Sequence, residues 1–121
     1  MITPWRLLSF MVDLRNLERG DSVQVTLDSG EEFSGKIVSK EQEPANEFSK
    51  GWIRLSFEGE WWEQVNNRVD DEVLTLRQDF GISSGRAKGA TMEGVKWVGK
   101  DPESSEPKYI ILGHIELVNK K

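Results

Sequence analysis

A chain of 121 residues with 36% hydrophobic and 31% charged residues can bury one core and keep a well-solvated surface, so it reads as a single folded domain. The absence of cysteine excludes disulfides, thiolate metal sites and cysteine nucleophiles, and no stretch approaches the roughly 18 apolar residues of a membrane-spanning helix. A net charge of −5 argues against a protein that coats DNA by neutralising phosphates in bulk.

The first element is predicted by Thr3-Pro4, an N-cap followed by proline at the first helical position. Trp5, Leu7, Leu8, Met11, Val12 and Leu14 follow at spacings of three and four, which predicts a short amphipathic helix within residues 1–19, ending near Gly20. The apolar start is too short for a signal peptide and lacks a small-residue cleavage site, so a cytoplasmic protein is expected.

Strands come next. Val23, Val25 and Leu27 alternate with polar residues, Asp28-Ser29-Gly30 supplies a turn, and Phe33 and Ile37 resume the period-two pattern around Gly35. This predicts a hairpin of strands 22–27 and 32–40, with glycine where a sharply bent strand favours one. After a polar break at 41–50, containing Pro44 and Asn46, further strands are expected at 52–57, 73–76, 94–98 and 109–118. Five or six short antiparallel strands make a small, strongly bent β-barrel the expected fold: mainly β, with a short N-terminal α-helix, the barrel over 20–118 and a long insertion at about 58–108.

Charge is unevenly distributed. Residues 58–72 carry Glu58, Glu60, Glu63, Asp70, Asp71 and Glu72 against Arg68, whereas residues 81–100 carry Arg86, Lys88, Lys96 and Lys100 against Glu93. The stretch G-I-S-S-G-R-A-K-G at 81–89 lacks the spacing and Gly-Lys pair of a P-loop and reads as a flexible basic connection between strands. Trp97, between Val95 and Val98 and beside Lys96, is a candidate base-stacking residue. Trp61 and Trp62 sit among glutamates, which suits a protein contact better than a phosphate-bearing ligand.

The hairpin resembles the first Sm motif of the Sm and LSm proteins: Gly20, Val23, Val25, Leu27, Gly30, Phe33, Gly35 and Ile37 stand at its spacings. The resemblance implies an Sm-like (SH3-like) barrel that acts as a non-catalytic RNA-binding module. Glu41 and Asn46 are the nearest counterparts of the family's base-holding loop residues, and the closing segment Ile110-Ile111-Leu112-Gly113-His114-Ile115 has Leu112 where the second motif has arginine. The expected nucleic-acid contacts are Arg86, Lys88, Lys96 and Lys100 on phosphates, Trp97 on a base, and Asn46, with single-stranded RNA as partner. The other expectation is a protein-interaction or assembly module docking a partner, or a second copy, through Trp61 and Trp62.

Catalysis has little to stand on. His114 is the sole histidine, in an apolar stretch, and no nucleophile-elbow sequence exists. The pair Glu58 and Glu60 and the run Asp70-Asp71-Glu72 are too ordinary to indicate acid–base or metal chemistry. No enzyme activity, cofactor, metal, membrane partner or small-molecule substrate is expected.

Overall fold

The computed structural model describes residues 12–101 and 103–121. Six antiparallel strands close into a barrel: β1 (Ser22–Leu27), β2 (Glu32–Glu43), β3 (Gly51–Gly59), β4 (Leu74–Phe80), β5 (Ala87–Val98) and β6 (Glu106–Lys120), each paired with its neighbour and β6 returning to β1. Mainly-β architecture with a closed, bent sheet therefore holds. Strands β4, β5 and β6 are longer than the hydrophobic alternation indicated, so residues 81–89 are no long connection. Only 81–86 turn the chain, and Ala87 already begins β5. The predicted helix is replaced over residues 12–19 by a single 3-10 turn, Leu14–Asn16, and its remaining positions, 1–11, lie outside the described residues. Asp13 caps that turn by accepting from the Arg15 backbone N–H. Among the described residues no helix is long and apolar enough to cross a membrane.

Alternation builds the interior. Val23, Val25, Leu27, Phe33, Ile37, Ile53, Leu55, Phe57, Leu74, Leu76 and Met92 point inward and are buried. Val25 stands opposite Phe33, and Leu55 opposite Leu76, so the rows interlock across strands. One extra residue in β2, Val38, and two in β6, Leu112 and Glu116, shift the register. Such bulges sharpen the bend that lets a small sheet close.

Both barrel ends are plugged. At one, Leu14 and Leu17 are buried, and the Gln78 side chain ties this segment down: it accepts from the Leu14 N–H at 2.8 Å and donates to the Val12 and Lys88 carbonyls at 2.7 and 2.6 Å. A polar group inside the barrel is tolerated because its oxygen and both its N–H groups are bonded. The other end is closed by residues 60–73, including the one-turn helix α1 (Trp62–Val65). Trp61, 3% exposed, stacks on Phe57 at 4.5 Å and meets Phe33 edge-on at 5.9 Å. Its indole N–H donates to the Glu72 carbonyl at 3.1 Å. The ring lies against Gly35 and Gly59, and a Cβ at Gly35 would stand 2.6 Å from it. Gly35 thus clears room for a tryptophan as well as serving a bent strand. Arg68 pins this lid to the β1–β2 turn through a two-pronged bond to Glu31, at 3.1 and 2.9 Å. The Arg68 hydrogen bonds hold the Glu31 carboxyl below the usual glutamate range.

Candidate binding face

The residues expected to form one basic nucleic-acid site do not come together. Arg86 and Lys88 are exposed where β5 begins, while Lys96 is near its far end and Lys100 lies in the turn beyond. Lys88 and Lys96 are separated by roughly 26 Å of extended chain. Lys96 also faces away from Trp97, because successive strand residues point to opposite sides, and it pairs across β6 with Lys108. Asn46 is occupied in shaping its own loop. Its Oδ1 accepts from the Phe48 and Ser49 N–H groups at 2.8 and 3.0 Å, and its carbonyl accepts from Ser83. That loop thus rests on the β4–β5 turn, whose Gly85 carbonyl accepts from Arg15.

The Trp61–Trp62 expectation is corrected more sharply. An extended chain would point one indole inward and one outward, but here the segment turns into α1. Trp61 is a core residue and Trp62 is half-buried against the core. Trp61 is therefore closed to docking, whereas Trp62 keeps part of its surface exposed and borders an open hollow with Glu60, Glu63 and Glu72.

Trp97 is different. It is 50% exposed, its backbone N–H is held by the Asp70 carboxylate at 2.7 Å, and its ring is left on the outer side of β5. Across β6 the same side carries Pro107, opposite Trp97, then Tyr109, opposite Val95, then Ile111, opposite Glu93. Tyr109 is 60% and Ile111 59% exposed. Two aromatics and an aliphatic side chain therefore share one face of the β5–β6 hairpin.

That face runs on across the barrel wall. The register lines up Ser39, Ser56, Thr75, Glu93 and Ile111 in one row across five strands, and Glu41, Arg54, Arg77, Thr91 and His114 in the next. A row of short hydroxyl side chains beside a row of long charged ones leaves a trough. It is a groove of about 180 Å³ lined by Ser39, Ser56, Thr75, Arg54, Arg77, Glu41, Glu93 and Tyr109. Arg54 and Arg77 stand directly opposite each other, an arrangement unfavourable for like charges unless something anionic lies between or beside them. Arg54 is stacked over the Trp52 ring at 4.9 Å, and Arg77 reaches Asp79 at 3.6 Å. Neither guanidinium makes a close side-chain hydrogen bond to another described residue. The groove offers two guanidiniums, three hydroxyls and a phenol as donors, and two carboxylates as acceptors.

Of the candidate binding residues singled out in the sequence, then, Trp97 and Glu41 lie on this face. Arg54, Arg77, Tyr109, Ile111 and Glu93 were missed as a group. The alternation of Trp52, Arg54 and Ser56 already put those three on one side of β3, but which neighbours stand beside them depends on register. His114, the single histidine, is exposed at the end of the second row with no nucleophile–base pairing among the described residues. No family model, curated protein or solved structure matches this chain at a significant level.

Proposed function

We propose that this protein is a non-catalytic barrel that binds single-stranded RNA on the outer face of β3–β6. Trp97 and Tyr109 stack bases, and Arg54 and Arg77 meet phosphates. The observation that carries the reading is the juxtaposition of two half-exposed aromatic rings with a groove holding two guanidiniums. Stacking is worth about 1–3 kcal/mol per base and is available to every base. The resemblance of the first hairpin to the first Sm motif points the same way. A chain of net charge −5 gains little from long-range attraction, so binding rests on stacking with few phosphate contacts. Two arginines imply a shallow salt dependence, a log–log slope of about −1.4 for a single strand. Glu41, Glu43 and Asp79 on the same face disfavour the dense phosphates of a duplex.

The test is fluorescence anisotropy of labelled oligo-U and oligo-A, with a duplex control, at two salt concentrations. Binding to single strands with a shallow slope, lost in Trp97→Ala and in Arg54→Gln/Arg77→Gln, is expected. Absence of binding at low salt contradicts the proposal.

A second reading has its own observation. Ile111 is an exposed aliphatic residue beside the aromatics, and aliphatic surface next to Trp and Tyr suits a protein contact. On that reading the same face docks a partner protein or a second copy. Sedimentation without RNA, comparing the native chain with Ile111→Ser, tests for the second copy.

A further inference from the structure

We infer that Glu93 reads the base bound in the groove and selects guanine; this rests on the RNA-binding reading above. Glu93 is 8% exposed yet lines the groove. Among the described residues its carboxylate has one side-chain partner, the Thr91 hydroxyl, which donates to Oε2 at 3.3 Å. No arginine or lysine nitrogen of a described residue lies within salt-bridge distance of it, although Arg77 lines the same groove. No side-chain oxygen of it is both sealed from water and unpartnered, so the carboxylate keeps acceptor capacity on the groove side. It can accept up to about four hydrogen bonds, and one is made.

The space next to it suits a flat heterocycle. The row Ser39–Ser56–Thr75 keeps the floor low, and the groove of about 180 Å³ equals the liquid volume of roughly six waters. Tyr109 lines the same groove and supplies a ring to stack on. The edge of the base decides the rest. Guanine presents two adjacent donors, N1–H and the 2-amino group, which a carboxylate accepts side by side. Adenine and cytosine present an amino group next to a ring nitrogen acceptor, and uracil flanks its single N–H with two carbonyls, so each sets an acceptor against the carboxylate. The guanine O6, beside N1, faces donors of the kind Thr75 and Arg77 offer, and these stand on β4 next to Glu93.

The experiment uses labelled hexa-uridylate and its versions carrying one internal guanosine, inosine, adenosine or cytidine, titrated by anisotropy against the full chain. The guanosine oligomer is expected to bind roughly tenfold tighter than the uridine, adenosine and cytidine ones. Inosine, which keeps N1–H but lacks the 2-amino group, is expected in between. Glu93→Gln should bring all five oligomers to within about twofold of one another, while Glu63→Gln, a change at an exposed carboxylate of α1 outside the groove, should keep the preference. A wild-type protein that binds all five equally overturns the inference and leaves the RNA-binding reading standing. So does a guanosine preference that persists in Glu93→Gln. Failure to bind any of them overturns both. Equal binding of the guanosine and inosine oligomers by the wild-type chain overturns the inference even if the variant does not fold.

Discussion

At one end of the barrel Trp61 is sealed between Phe33 and Phe57 with its N–H bonded to Glu72; on the outer wall Trp97 stands half in solvent beside Tyr109. The two regions use the same side chain for opposite ends. What separates them is what the neighbouring strands omit. Gly35 and Gly59 clear a seat for the Trp61 ring, and the turn into α1 carries that ring over the barrel mouth. Among the described residues nothing comparable covers Trp97, whose neighbours on that face are Val95, Pro107 and Tyr109. A tryptophan is a plug where glycines make room for it and stays half-exposed where they do not.

Breaking the comparison is most direct at the two indoles themselves. Trp61→Ala should destabilise the fold by about 3–5 kcal/mol, as the loss of a large buried aromatic does, whereas Trp97→Ala should stay within about 0.5 kcal/mol of the native chain. Urea unfolding measures both, and equal losses would contradict the contrast. Gly59→Ala sharpens the same point, since its Cβ would run into the Trp61 ring and the Ser34 carbonyl. A loss of about 1–3 kcal/mol is expected. Part of that loss should vanish when Trp61 is already alanine, because the two changes share a contact. On the other wall, Trp97→Ala should weaken single-strand binding by about tenfold, the value of one stacked base, with the melting curve unchanged.

The smallest effect concerns the clamp that holds the lid. Arg68 depresses the Glu31 carboxyl, so the folded form binds that proton less readily than the unfolded chain. Its contribution is fully present above the unfolded value of about 4.3 and is lost as pH falls through the lower folded value. Both side chains are about one-third exposed, which limits the pair to at most about 1 kcal/mol. Glu31→Gln should therefore lower stability slightly at pH 7 and flatten its decline below about pH 4.3. A Glu31→Gln chain whose acid unfolding curve runs parallel to that of the native protein would show that the clamp carries no linkage.

Much of the barrel was legible because one-face burial imposes a period of two. Val23, Val25, Leu27 and Phe33 announced the first hairpin, and its strand β1 has the expected bounds. Later strands were cut short where the alternation is broken by polar or glycine residues. Gln78 inside β4 and Lys88-Gly89 at the start of β5 read as polar breaks, but backbone pairing continues through them. The face proposed for binding was legible at two residues, Trp97 and Glu41. Arg54, Arg77, Glu93 and Tyr109 are far apart in the chain and are adjacent solely through register, which the bulges at Val38 and Leu112 offset by one residue each. Composition suggested a basic patch at 81–100. A strand spreads such a patch along its length and divides it between two sides, as Lys96 and Trp97 illustrate.

Amide chemical-shift mapping on the ¹⁵N-labelled chain, during titration with a short unlabelled single-stranded RNA, tests most directly whether the outer β3–β6 face receives a single strand. Shifts are expected to concentrate at Arg54, Ser56, Thr75, Arg77, Glu93, Trp97 and Tyr109, with the Trp97 indole N–H among the largest and the Trp61 indole N–H unmoved. Shifts confined to Arg86, Lys88 and the loop around Asn46, or no shifts at all, would contradict binding on that face.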